Sequence, residues 1–226
     1  MVDDGSADGT AALVEAVGRA AAADGAAGVA NTPLVRLLKN GVNRGKGYSI
    51  KHGALLSAGT FLLLSDADFS TPIEWLPKLL EPVAAGACAI AIGSRGLPGS
   101  QIPVRQPRWR EMMGRTFNRL VRALTGLPFA DTQCGFKVMR REAVLPLFRA
   151  ARIERFAYDV EILYLARKAG LPVQEIPVLW RNALGSKVHP VRDAWVMLED
   201  ILRIRRRDRR GGYGRLGDVA GAGERG

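Results

Sequence analysis

The chain has 226 residues, 47% of them hydrophobic and 24% charged, and its formal net charge is +11. This length and composition fit one globular domain with a full core, whereas the longest apolar run, residues 87 to 92, is far short of the roughly 20 residues that a membrane-spanning helix needs. Two distant cysteines and two histidines exclude a disulfide framework and a cysteine-rich zinc site and, with no signal peptide, favour a reducing, cytoplasmic location.

Arginine accounts for much of the positive charge, and six of the eight residues from 203 to 210 are arginine. A basic run of this kind is typical of a solvated tail, but it also suits an anionic partner, either nucleic acid or an acidic membrane surface. The arginines are spread over several predicted helices and form no recognised nucleic-acid motif. We therefore expect an anionic membrane surface rather than nucleic acid.

The first residues predict the end of a strand followed by an acidic turn. Asp8 or Thr10 then caps an alanine-rich helix that reaches about Asp24. A strand of one residue is not expected to pair. We therefore expect a strand to be missing upstream, because the start is misassigned or the chain is a fragment.

A second strand is predicted from Leu34 to Leu38, followed by a glycine-rich basic turn and a helix from Tyr48 to about Ala58. The turn does not match a phosphate-binding P-loop, because only three residues separate Gly41 from Gly45. It also lacks the third glycine of the dinucleotide fingerprint. Lys46 in this turn is a candidate phosphate contact, and the alternative is an ordinary surface turn residue.

The segment from Phe61 to Pro72 predicts a buried strand that ends abruptly at two carboxylates, Asp66 and Asp68. The carboxyl ends of strands in open α/β sheets are where ligands bind. Two aspartates one residue apart can offer hard oxygen ligands to Mg²⁺ or Mn²⁺. The alternative is that they only cap the turn and the helix that follows.

The next elements are a helix from Pro72 to about Val83 and a strand from Ala87 to Ile92 that closes at Arg95. Strands alternating with helices predict a mostly parallel sheet covered on both faces, an α/β fold. Arg95 then lies at the same edge of the sheet as the two aspartates, where its guanidinium can bind a phosphate.

A long helix from Arg108 to Leu124 mixes bulky apolar residues with five arginines. This mixture is typical of a helix at a membrane interface, and a core-facing helix with a basic outer face explains it equally well. A dense polar loop, residues 131 to 137, follows, of the kind in which sites are built.

Later elements are a short helix from Glu142 to Phe148, and a helix that begins in the acidic run from Glu154 to Glu161 and ends near Lys168. Those acids fit a helix dipole. A proline-flanked edge strand follows from Val173 to Trp180, then Arg181 and Lys187. A basic amphipathic helix from 190 to about 207 and a glycine-rich tail from 211 to 226, expected to be disordered, end the chain.

Together these motifs resemble the inverting GT-A glycosyltransferases, most of all the dolichyl-phosphate glucosyltransferases, with the polyprenyl-phosphate mannosyltransferases as near relatives. The resemblance covers roughly Val2 to Arg207. The motifs stand in the family's order: Val2-Asp-Asp-Gly-Ser6, Asn43-Arg-Gly-Lys-Gly47, Asp66-Ala-Asp68, Gly93-Ser-Arg95, Asp131-Thr-Gln-Cys-Gly-Phe-Lys137, Glu154-Arg-Phe-Ala-Tyr-Asp-Val-Glu161 and Gly185-Ser-Lys187.

The resemblance implies a GT-A fold over residues 1 to 189, followed by the amphipathic helix of 190 to 210 and the tail of 211 to 226. It implies inverting transfer of a sugar from a nucleotide sugar, UDP-glucose above all, to a polyprenyl phosphate on the cytoplasmic face of a membrane. By similarity, the donor contacts are Val2, Asp4, Lys46, Asp66, Ala67, Arg181 and Lys187, with Mg²⁺ or Mn²⁺ on Asp66 and Asp68. The catalytic and acceptor residues carried over are Asp68, Arg95, Arg110 and Asp131.

Two departures from the family pattern matter. Ser70 stands where the mannosyl relatives have a glutamine, which favours the glucosyl branch. The family's first strand, with its Pro-x-Tyr-Asn-Glu contacts, is not in the sequence. The alternatives are therefore the same fold acting on GDP-mannose or another nucleotide sugar, and an inactive remnant that docks on membranes through its basic helices.

Overall fold

The structure is a computed structural model that describes residues 1–23, 35–103, 107–182, 190–214 and 216, without the side chains of 108, 110, 190 and 191. The strands are β1 (Val2–Asp3), β2 (Leu38–Lys39), β3 (Phe61–Leu64), β4 (Ile90–Ser94), β5 (Lys137–Arg140) and β6 (Val173–Pro177). The helices are α1 (Thr10–Ala23), α2 (Lys46–Leu56), α3 (Leu76–Ala84), α4 (Arg108–Thr125), α5 (Arg141–Ala150), α6 (Tyr158–Lys168) and α7 (Pro190–Arg209), with a 3-10 turn at Ile73–Trp75.

The strands form a two-stranded sheet, β1-β2, and a four-stranded sheet in the order β3-β5-β4-β6. β4 and β6 are parallel, and β5 runs antiparallel to both β3 and β4. β3, β4 and β6 therefore point in one direction, as the alternation of strands and helices predicts, and their carboxyl ends meet at one edge. The reversed β5 brings the polar loop before it, residues 131 to 136, to that same edge.

Helices cover both faces of the larger sheet. On one face, Leu79 and Val83 of α3 pack against Ala91 and Val138. On the other face, α5 and α6 bury residues such as Leu147 and Leu163 against the sheet. The predicted α/β fold, with helices on both faces, is confirmed.

Helix α4 has one side in the core and one side exposed. Val121 is buried, and Phe117 and Leu124 pack against the core, whereas Trp109 and Met112 are 56% and 67% exposed. The core-facing interpretation thus holds for part of the helix. No helix in the described part of the chain combines the length and apolar character that crossing a membrane requires.

Two sequence expectations are corrected. The strand at the start does pair, in parallel register with β2, because backbone bonds from Leu38 to Met1 and from Asn40 to Asp3 extend the short ladder at 2.9 and 3.0 Å. Within the tail predicted to be disordered, Tyr213 and Leu216 are buried in the main core, because the aromatic ring packs there and its hydroxyl finds a buried carboxylate. Residues 215 and 217–226 lie outside the described residues.

Candidate active site

A cavity of about 1000 Å³ lies between β1, α2, β3 and the amino-terminal part of α7. Five residues that the sequence predicts as donor contacts share its wall: Val2, Asp4, Lys46, Asp66 and Ala67. They come from three separate stretches of the chain. The structure thus brings most of the predicted donor set into one concave surface of the size that small-molecule sites have.

Asp4 holds the turn that carries Lys46. Its carboxylate accepts hydrogen bonds from the backbone N–H groups of Arg44 and Gly45, at 2.9 and 2.8 Å, and from Asn40 Nδ2 at 2.7 Å. Burial raises the pKa of Asp4, but these hydrogen bonds outweigh it and leave the pKa below its usual value. The carboxylate is therefore ionised and fixes the turn, whatever further contact it makes with a ligand.

Two glycines let this turn press against the segment before α6. Gly45 has φ +99°, and a Cβ there would stand 2.6 Å from the Glu154 carbonyl oxygen. A Cβ on Gly47 would stand 2.6 Å from the Ile153 oxygen. The same segment accepts the Tyr48 N–H at 3.0 Å, so the glycines of this turn serve close backbone packing.

Lys46 reaches the first aspartate of the pair, with 2.6 Å between its Nζ and Asp66 Oδ1. Both side chains are partly exposed, at 28% and 36%. Gly135 lies against the Asp66 carboxylate so closely that a Cβ at Gly135 would overlap it. The Asp66 carboxylate therefore contacts the Lys46 ammonium group and packs against the backbone of Gly135.

Asp68 is exposed at the turn after β3, where its Oδ1 accepts the Ser70 N–H at 2.9 Å. The intervening Phe69 has a positive φ of 48°, unusual for an aromatic residue, which marks the tightness of the turn. No three histidine, cysteine or acidic side chains converge as metal ligands among the described residues. Two hard carboxylates fit a cation such as Mg²⁺ or Mn²⁺ that takes its remaining ligands from phosphate and water.

A second cluster joins Arg95, at the end of β4, to Asp131. The Arg95 guanidinium donates two hydrogen bonds to the carboxylate, at 2.6 and 3.0 Å, and the Arg95 N–H donates a third at 3.0 Å. Burial raises the pKa of Asp131, yet the Arg95 charge and these hydrogen bonds hold it at about 2. Glu175 in turn accepts the N–H groups of Ala130 and Asp131, at 2.8 and 2.9 Å, so the loop is pinned from β6.

This cluster lines a cavity of about 730 Å³ that is walled by the arginines of α4: Arg115, Arg119 and Arg122. Trp180 stacks over the Arg95 guanidinium at 5.3 Å from the ring centroid. The neighbouring Arg181 donates its N–H to the Ser70 oxygen at 2.7 Å, which ties the Arg95 cluster to the segment that follows Asp68. The two predicted sites are therefore adjacent.

For two predicted site residues, Arg110 and Lys187, the structure does not describe the side chain. Arg110 belongs to α4, but its side chain is not among those described. Lys187 lies outside the described residues. Their predicted roles, on the acceptor phosphate and on the donor diphosphate respectively, stay predictions.

Sequence reasoning missed the buried polar groups beneath the site. Lys137 pairs with Asp159 at 2.5 Å, both almost fully buried. Glu161 accepts the N–H groups of Arg152 and Ile153, at 2.9 and 2.7 Å, and the Tyr213 hydroxyl at 2.6 Å. The acidic run from 154 to 161 was the sequence signal for these groups. Each acid in it interacts with a specific side chain and does more than complement the helix dipole.

Comparison with known sequences identifies relatives of this chain. The family model for glycosyl transferase family 2 matches residues 1–148. Dolichyl-phosphate β-glucosyltransferase of Dictyostelium discoideum is 36% identical over 91% of this chain and 61% of its own length. The human protein of that name is 35% identical over 92% of this chain and 63% of its own length. The chain thus spans about three fifths of these relatives.

Solved structures share the fold. Glucosyl-3-phosphoglycerate synthase from Mycobacterium tuberculosis, in complex with Mn²⁺ and UDP-glucose, superposes with a TM-score of 0.58 at 16% identity, covering 88% of this chain and 66% of that one. Mannosyl-3-phosphoglycerate synthase from Rubrobacter xylanophilus gives a TM-score of 0.59 at 20% identity, covering 95% of this chain and 64% of that one. At these identities the likeness establishes the fold alone.

Proposed function

Because the chain belongs to glycosyl transferase family 2, we propose that it transfers glucose from UDP-glucose to the phosphate of a polyprenyl lipid of the dolichyl type, with inversion at the anomeric carbon. The names of the curated relatives support the donor sugar and the lipid class. The Mn²⁺ and UDP-glucose in a structural neighbour support the nucleotide and the need for a divalent ion.

One observation carries the proposal. Five of the seven donor residues predicted from the sequence line one cavity, and the Arg181 backbone joins the Asp68 turn to the Arg95 cluster. A transferase that joins two phosphate-bearing substrates needs two adjacent anion sites, because holding the reactants in line provides much of the rate acceleration. The adjacency of the two clusters supports such a pair of sites.

On the donor side, Lys46 and the two aspartates bind the diphosphate in different ways. Asp66 and Asp68 would hold Mg²⁺ or Mn²⁺, which when bound neutralises the charge of the departing diphosphate. Lys46 contacts Asp66 and can exchange that contact for a phosphate oxygen, since the pair is partly exposed. Asp4 keeps the Lys46 turn in position.

On the acceptor side, Arg95 is the positioning cation. An acceptor phosphate is already ionised near neutral pH, so it can attack the anomeric carbon without a general base. As its oxygen bonds to that carbon, the bond from carbon to the UDP oxygen breaks and UDP departs with the electron pair. Asp131, ionised and occupied by Arg95, orients the guanidinium rather than removing a proton.

We assign the exposed side of α4 to the surface of an anionic membrane, on the cytoplasmic face. Trp109 and Met112 project from a helix that also presents Arg115, Arg119 and Arg122 to the acceptor-side cavity. A helix with aromatic, apolar and basic residues on its open face lies well at a lipid interface. The lipid-bound acceptor phosphate would then approach Arg95 from that surface.

The activity test uses radiolabelled UDP-glucose and a detergent-dispersed polyprenyl phosphate with Mn²⁺. Labelled glucosyl lipid is expected, and GDP-mannose in place of UDP-glucose is expected to give little. Failure of every nucleotide sugar tested to label the lipid would overturn the activity. Preference for GDP-mannose would overturn the donor but keep the reaction class.

The membrane test is flotation with vesicles that contain phosphatidylglycerol. The double variant Trp109→Ala/Met112→Ala should float less than the unaltered protein. The matched control is Leu13→Ala/Val17→Ala, which removes two exposed apolar side chains from α1 and should leave flotation unchanged. Equal flotation of both variants contradicts the assignment of α4.

A further inference from the structure

A third cavity, of about 820 Å³, lies between the segment before α6 and the carboxyl-terminal half of α7. Its floor includes Tyr213, and Arg155 belongs to its wall as well as to that of the donor cavity. Arginine dominates the lining, with contributions from the turn before α2, the segment before α6 and α7 itself: Arg44, Arg152, Arg155, Arg203, Arg206, Arg207 and Arg210.

Some of these arginines are neutralised within the protein. Arg44 pairs with Glu154 at 3.2 Å. Arg155 and Arg203 share one oxygen of the buried Asp200, at 2.9 and 3.0 Å. Glu154 and Asp200 are the two carboxylates in the lining of the cavity, among the residues described.

Other arginines have no such partner. The side chains of Arg206, Arg207 and Arg210 form no hydrogen bond or ion pair with any residue in the described part of the chain. Arginine stays protonated at any physiological pH. Among the described residues, the lining therefore includes three exposed arginines whose charge no ion pair offsets.

Helix geometry alone does not account for this cluster. Basic residues at the carboxyl end of α7 complement the negative end of the helix dipole, which explains Arg206 and Arg207. It does not explain why Arg44 and Arg152, from other parts of the chain, line the same cavity. Arg152, which has no ion pair with any described residue, thus lines the same cavity as the three exposed arginines, and a bound anion would reduce the repulsion among these charges.

We propose that this arginine cavity binds an anion that carries phosphate. Guanidinium groups match phosphate oxygens in a bidentate geometry, and the volume suits a small ligand or a head group. The source is either a soluble diphosphate or the head group of an anionic phospholipid. The inference does not depend on the activity proposed above, because the unpaired arginines lie on α7 rather than around Lys46 or Arg95.

The test is calorimetric titration of the whole protein with inorganic pyrophosphate in metal-free buffer. The variant Arg206→Gln/Arg207→Gln should bind at least about tenfold more weakly, since it removes two charged donors. The matched control is Arg205→Gln/Arg209→Gln, which removes the same charge from the same helix outside the cavity lining. Pyrophosphate bound elsewhere, including beside Lys46, contributes equally to both variants.

An equal loss in both double variants would show a diffuse charge effect, and no loss in either would show that the cavity is not used; each result overturns the proposal. Thermal melting confirms that the variants are folded. Flotation with phosphatidylcholine vesicles, with and without phosphatidylglycerol, identifies the source. A flotation defect confined to the cavity variant assigns a lipid head group, and equal flotation with unequal pyrophosphate binding assigns a soluble anion.

Discussion

The Lys46–Asp66 pair and the Arg95–Asp131 pair lie in neighbouring parts of one site, yet they are built differently. Lys46 meets Asp66 through one contact between two partly exposed side chains. Asp131 is 8% exposed at its side chain and accepts three hydrogen bonds from Arg95 and one from the Gln133 N–H. The first pair can open at little cost, whereas the second is fixed.

This difference matches what each side must do. In the proposed mechanism the donor side releases its internal ion pair when a diphosphate and a cation bind, and an exposed pair contributes only about 0 to 1 kcal/mol to stability. The acceptor side gains from a guanidinium that is already oriented, because preorganised charge needs no rearrangement during the reaction. Substitutions on the donor side should therefore affect activity alone, and those on the acceptor side should affect stability as well.

The largest effect is expected from Asp68→Ala. Loss of a metal ligand should reduce transfer from UDP-glucose by roughly a thousandfold or more, because the leaving diphosphate is no longer neutralised. The melting temperature should hardly change, since Asp68 is exposed. The control is Glu81→Ala, an exposed carboxylate on α3 that should keep full activity. Near-normal transfer by the Asp68 variant would remove the metal from the proposed mechanism.

Asp131→Asn should be the most destabilising of these substitutions. It removes a charge that is 8% exposed and accepts four hydrogen bonds, and leaves the partly exposed Arg95 guanidinium without its counter-charge, which costs about 3 kcal/mol and lowers the melting temperature by roughly 6 to 10 °C. Asp66→Asn is the matched change on the donor side and should cost under about 1 kcal/mol. Chemical denaturation measures the free energy of unfolding of both variants. Equal decreases would contradict the proposed difference between the two pairs.

The pH dependence of stability tests the same carboxylate. The pKa of Asp131 is lowered from 3.8 to about 2 in the folded protein. A lowered pKa stabilises the fold above the unfolded value, so about 2 kcal/mol should be present above pH 4 and lost as the pH falls toward 2. The free energies of unfolding of the native protein and Asp131→Asn should converge over that range. A constant difference down to pH 2 contradicts the prediction.

The smallest effect is expected from Lys46→Ala. Affinity for UDP should fall about tenfold, because one charge-assisted contact to phosphate is lost, with little change in stability. Lys39→Ala is a suitable control, since Lys39 forms an exposed 2.6 Å ion pair with Glu15 away from the cavity. Equal UDP affinity of the two variants would show that Lys46 does not contact the donor.

Local sequence was enough to predict the local structure around Lys46, Asp66 and Asp68, whose roles on the donor stay predictions. Asp66 and Asp68 follow a short apolar strand, and Lys46 stands in a glycine-rich turn, so both positions could be inferred from residues within about ten positions of them. The boundaries of β3 and α4 were predicted nearly to the residue for the same reason. Strand ends, helix bounds and turns such as these are determined mainly by residues close in sequence, which is why they could be predicted.

Long-range partners could not be predicted in this way. Arg95 and Asp131 were each predicted as site residues, but their pairing depends on β5 running against β4, and a strand of four residues carries no signal for its direction. Tyr213 lies in a glycine-rich segment, and its contact with Glu161 spans 52 positions. The β4 strand also begins later than predicted, at Ile90 rather than Ala87.

The close approach of Gly135 to the Asp66 carboxylate limits how this site can be redesigned. Even a methyl group at position 135 would displace the Asp66 carboxylate, so substitutions at this position should lower activity. Ala67 is exposed and lines the same cavity. Directed evolution toward a different donor sugar should therefore randomise position 67 and leave position 135 untouched.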